Sequence, residues 1–210
     1  MRAKQQLWAF AVLVVLTCGS MAAQDDAVQV PIREDQPVLE FVGQFINSGS
    51  SSQQFGYVSN IKGLSPIFSG ALQNETTAMF TFFTQATTVR VIVNGALRII
   101  NRVGTTTIYF NPNPAGDFAN PSSFRLGVPI LVSGYTQQVV SDTITGAFTT
   151  VHLNTITATS VFSLGGVGWQ LGHVGGSFRT NYSGHANAPA LLPNGWFGGY
   201  AVGVDKKASD

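Results

Sequence analysis

From Val38 to Phe162 the chain is a succession of short β-branched and aromatic runs, each closed off by Gly, Asn or Pro. No convincing helical period appears after residue 22. Val, Ile, Thr and Phe fit a pleated surface, and Gly and Pro interrupt it, so this texture confines the chain to sheets. Val38–Ile46 alternates Leu39, Phe41 and Phe45 against Glu40 and Gln44, and Gln54–Ile61 and Thr76–Thr84 follow. Asn94-Gly95 predicts a type I′ hairpin turn between Val89–Val93 and Ala96–Val103, because both residues tolerate positive φ. Gly104 reads as a bulge or bend before Thr105–Phe110. The stretch from Asn111 to Ser122 carries Pro112, Pro114 and Pro121 and reads as a long loop. Phe124–Val132 predicts a strand with Phe124, Leu126, Val128, Ile130 and Val132 on one face. Val139–Thr145, Ala147–Leu153 and Thr155–Phe162 complete the series.

Between Gly165 and Gly203 the texture changes to eleven glycines in 39 residues, interleaved with Trp169, Trp196, Phe197 and Tyr200. One or two strands are expected near Trp169–Val174, and loops and bends elsewhere. The pattern implies an all-β fold: a single antiparallel β-barrel of roughly eight to ten strands, or as second choice a β-sandwich. The β domain is expected over 38–204, followed by a tail at 205–210.

Arg2 and Lys4 precede the apolar run Leu7–Leu16, with small residues at Ser20, Ala22 and Ala23. That is the plan of a secretory signal helix, cut after Ala22. The run is too short to span a bilayer. Residues 23–37 hold four acids among prolines and read as a flexible or edge-hugging arm. The expected location is therefore extracellular, or the periplasm or cell surface of a bacterium. The lone cysteine, Cys18, leaves with the signal, which excludes disulfides, thiol catalysis and thiolate metal sites from the body.

Of the 210 residues, 10% are charged, against about 25% in ordinary domains. Removing residues 1–22 leaves nine basic against ten acidic residues, with no basic stripe, so nucleic acid is not an expected partner. The interior is expected to be apolar and nearly uncharged. Alternation places Arg90 and Arg125 outward, and puts Arg98 and Arg102 on a face with Ile100, opposite Leu97, Ile99 and Val103, also outward. Asp142 falls in phase with Val140 and Ile144. It is a candidate general acid or base if buried, and otherwise a turn residue bonded to backbone amides near Gly146. His152, on a face with Phe148 and Thr150, and Tyr109 are the other catalytic candidates.

His152, His173 and His185 form no metal-ligand spacing, no G-x-S-x-G elbow exists, and no metal or cofactor is expected. Trp169, Trp196 and Tyr200 are candidate ligand-binding aromatics. Asn74-Glu75-Thr76 and Asn181-Tyr182-Ser183 match the N-glycosylation pattern, which matters only in a eukaryotic secretory route.

The phrase Thr143-Ile144-Thr145-Gly146-Ala147-Phe148 resembles the glycine-containing turn before a late strand in allene oxide cyclase and dirigent barrels. The resemblance implies a calycin-like outline around an apolar cavity. It carries over none of those families' catalytic carboxylate, arginine or tyrosine positions. The expected function is non-catalytic binding of a small apolar or carbohydrate ligand, or a surface role. The alternative is a cofactor-free isomerase, cyclase or dirigent-like protein acting on an apolar substrate inside the barrel. An outer-membrane barrel is a third reading, disfavoured by the charged ending Asp205–Asp210.

Overall fold

The computed structural model describes residues 28–30, 38–188 and 191–204. The expected signal helix, most of the arm and the tail at 205–210 lie outside the described residues. Eight strands close a barrel: β2 (Leu39–Ser48), β3 (Ser51–Ile61), β4 (Phe80–Asn94), β5 (Leu97–Phe110), β6 (Val128–Asp142), β7 (Ala147–Thr159), β10 (Ser177–Ala186) and β11 (Gly195–Val204). Each pairs antiparallel with the next in that order, and β11 returns to β2. Closure leaves no free edge among them, and the barrel rather than the sandwich is the fold. The β8–β9 hairpin (Phe162–Leu164 and Val167–Leu171), which lies between β7 and β10 in the chain, forms a small sheet with β1 (Val28–Val30), β1 pairing parallel to β9.

One end of the barrel is plugged. Phe80, Phe110 and Phe162 meet there with ring centroids 5.0–5.4 Å apart, joined by Leu64, Ile67, Met79 and Leu171. Outside the wall, residues 111–127 fold back so that Phe118 and Phe124 cover Phe55 and Phe83 in a second apolar cluster. The rest of the outer face is rich in hydroxyls and amides, among them Gln85, Thr87, Thr105, Thr136, Gln138, Thr149 and Asn181.

Several sequence expectations are corrected here. Phe124–Val132 is not one strand. Pro121–Arg125 forms a 3-10 turn with proline at its start, and β6 begins only at Val128. Phe124 and Ile130 are fully buried, whereas Leu126 and Val128 are 57% and 60% exposed. The apparent alternation spans two unrelated pieces of structure, parted where Gly127 packs against the Phe110 carbonyl. The β4–β5 turn centres on Gly95-Ala96, one residue later than expected, because Asn94 still pairs with Leu97. Two consecutive positive-φ residues instead occur at Gly165-Gly166, in the β8–β9 hairpin.

The glycine-rich C-terminal stretch supplies two full barrel strands, not loops. A side chain at Gly184 would strike the Trp196 carbonyl and the Phe148 ring, and one at Gly199 the Asn181 carbonyl and Tyr182. These glycines leave room for the rings inside, which is why the strands carry so many of them.

Candidate functional site

The inward residues of the wall follow from the pleat. On β7 they are Phe148, Thr150, His152, Asn154 and Ile156, all buried. On β6 they are Ser133, Tyr135, Gln137, Val139 and Ser141. On β5, counting back in twos from buried Phe110 and Ile108 gives Thr106, Gly104, Arg102, Ile100 and Arg98. The arginine face is therefore the inner one, contrary to expectation, and Arg102 is buried at 9% exposure. The signal was present in the sequence: the phase set by Ile108 and Phe110 runs unbroken to Arg98. Leu97 and Val103, the apolar residues opposite, point outward at 41% and 45% exposure.

The interior is thus not uniformly apolar. Below the open end it holds a polar belt centred on the Tyr182 hydroxyl. Gln137 Nε2 donates to that oxygen at 2.7 Å, and the hydroxyl donates to Gln54 Oε1 at 2.7 Å. His152 Nε2 lies 2.9 Å away. With its one proton given to Gln54, the hydroxyl can only accept from His152, which fixes the Nε2–H tautomer. The Tyr135 ring stacks on the imidazole at 4.2 Å. Gly104 makes room for the Tyr135 hydroxyl, which a β-carbon there would approach to 2.6 Å. Asn154 bonds Thr180 and Ser133 just beneath.

Burial, reinforced by the charge of Arg102, pulls the His152 pKa down to about 3. Burial pushes Tyr182 and Tyr135 well above the ordinary phenol value. Near neutral pH all three rings are uncharged.

Above this belt opens a cavity of about 620 Å³ at the end where the β2–β3, β4–β5, β6–β7 and β10–β11 connections lie. Its walls differ in chemistry. Phe45, Phe148 and Phe197 form an apolar side, with the Tyr182 ring 4.6 Å from Phe197, and Ser52, Gln54, Arg98, Arg102 and Gln137 form a polar one that also carries Ile100 and Val139. Ser52 Oγ, Gln137 Oε1 and Thr150 Oγ1, on residues 1%, 3% and 2% exposed, have no hydrogen-bond partner among the described residues. A buried polar atom left without a partner costs about 1–3 kcal/mol, and three of them line this one cavity.

Of the catalytic candidates, only His152 reaches this interior. Asp142 sits on the rim, out of phase with inward Val139 and Ser141. Its carboxylate accepts from the Ile144 amide at 2.8 Å and that of Thr145 at 3.4 Å, and these bonds hold its pKa below the usual carboxylate value. This is the turn role. Tyr109 faces outward, against the Phe55–Phe83–Phe124 cluster.

Trp196 and Tyr200 share the outer face of β11, 46% and 42% exposed, with Phe118 edge-on to Trp196 at 5.2 Å. Trp169 packs in the small sheet, donating to the Leu164 carbonyl at 3.3 Å, so the three rings form no common platform. Asn74 accepts from the amide and hydroxyl of Thr76, and Asn181 lies half-buried on the outside of β10. The Thr143–Phe148 phrase that carried the family resemblance forms the β6–β7 connection at the cavity's rim and the first residues of β7.

Fold and site together define a closed eight-stranded antiparallel β-barrel with an apolar plug at one end and a two-sided cavity at the other. No known family model, curated protein or solved structure matches the chain.

Proposed function

We propose that the protein binds a small ligand with an apolar body in the cavity at the open end of its barrel, without transforming it. The observation that carries this reading is the meeting of three phenylalanine rings with buried, unpartnered Ser52 Oγ and Gln137 Oε1 around one space. Its volume lies within the range of about 300–1,000 Å³ usual for small-molecule sites. The alternative, acid–base turnover of an apolar substrate, is less well supported. A base poised for neutral pH needs a pKa near 7, whereas burial holds His152 near 3 and keeps both tyrosines protonated.

The test is calorimetric titration with two medium-chain amphiphiles, 1-decanol and decanoate. Saturable one-to-one binding of at least one is expected, lost in Val139→Trp, which places an indole in the cavity from a buried wall position. Absence of saturable binding for both, or undiminished binding in a folded Val139→Trp, would overturn the proposal.

A further inference from the structure

Among the described residues, Arg102 is a buried cation with no counter-ion. Its Nε donates to Thr88 Oγ1 at 3.2 Å and its Nη2 to Asn47 Oδ1 at 3.3 Å, both neutral groups. A guanidinium has five N–H donors, and these bonds use two, leaving three.

The carboxylates among the described residues are all engaged elsewhere. Glu40 accepts from Asn60, Asp117 from the Ala119 amide and Asp142 from the Ile144 amide, while Glu75 lies beside Tyr57. The ionisable groups that act on Arg102 are Tyr182 and Tyr135, which burial keeps neutral. Burial disfavours the charged guanidinium, yet arginine does not give up its proton in proteins. A fold that retains such a charge inside a cavity normally pairs it.

The surroundings say with what. Arg102 stands opposite Gln137 in the β5–β6 register, and Arg98 opposite Ser141, so both guanidinium groups belong to the polar wall of the same cavity. Ser52 adds a hydroxyl whose proton has no acceptor among the described residues. Phe45, Phe148 and Phe197 across the cavity offer only apolar contact. A planar carboxylate matches the guanidinium fork better than a neutral hydroxyl does.

Resting on the cavity being the ligand site, we propose that its ligand is a small amphiphilic carboxylate. The anionic head takes the free N–H groups of Arg102, with Arg98 and Ser52 beside it, and the apolar body lies along the three phenylalanines.

The test compares decanoate with 1-decanol by calorimetry at pH 7.5 in the intact protein. Decanoate is expected to bind at least about tenfold more tightly, as charge-assisted hydrogen bonds to a buried partner allow. Arg102→Met should abolish that preference, and Arg102→Lys should restore part of it. Should Arg102→Met not fold, the comparison in the unsubstituted protein decides alone. Equal affinities for the two probes would overturn the carboxylate proposal and leave the cavity reading standing. Failure of both to bind would overturn the two together.

Discussion

His152 and the Tyr182 hydroxyl meet inside the barrel at 2.9 Å, and burial decides which protons they hold. In the unfolded chain His152 titrates near 6.5; in the fold its pKa is depressed to about 3. The stabilisation from keeping it neutral is complete above pH 6.5 and is lost as pH falls toward 3, because only the unfolded state takes up the proton there. Between pH 7 and 5 this amounts to about 2 kcal/mol. Urea midpoints measured at the two pH values should show that loss in the native chain and little of it in His152→Phe. Equal pH dependence in both proteins would show that the imidazole is not shielded as described. The face of His152 was legible in the sequence, since Phe148, Thr150 and His152 alternate without interruption. Arg102 was missed because its local neighbours Leu97, Ile99 and Val103 look like a core face. Only the phase carried back from Phe110 reveals which side is inside.

Among the elements, the segment from 111 to 127 contributes most beyond the strands themselves. It brings Phe118 and Phe124 onto the outer wall, and the Phe124 carbonyl accepts from buried Thr81 Oγ1 at 2.9 Å. Phe124→Ala should cost about 3–5 kcal/mol in chemical denaturation, the usual range for emptying a fully buried ring position. A loss below about 1 kcal/mol would mean the segment does not hold the wall. The sequence marked this stretch as a proline-broken loop, yet it did not show that the loop is docked. Long-range contacts of that kind leave no local period. For the same reason β10 and β11 escaped notice: the usual strand signal is bulk and branching, and Gly184, Gly195, Gly198 and Gly199 remove both. Phe148 and Phe45 carry the bulk against Gly184 and Gly195 from strands far away in the chain, and Tyr182 of β10 carries it against Gly199.

At the scale of the whole molecule, the all-β class and a barrel of roughly eight to ten strands were legible from strand spacing and the scarcity of charge. The division of the interior was not. One half is a phenylalanine plug, and the other is a belt of hydroxyls, amides and a guanidinium beneath an open cavity. That division depends on which residues eight separate strands bring to the same height, which register alone fixes. It is also what gives the molecule a direction, with one end sealed and the other open. A nuclear magnetic resonance titration of isotopically labelled protein with decanoate tests this most directly. The account predicts saturable shifts centred on Ser52, Arg102, Gln137, Phe148 and Phe197. Shifts centred on the outer-face residues Trp196 and Tyr200, or no saturable shifts at any residue, would contradict it.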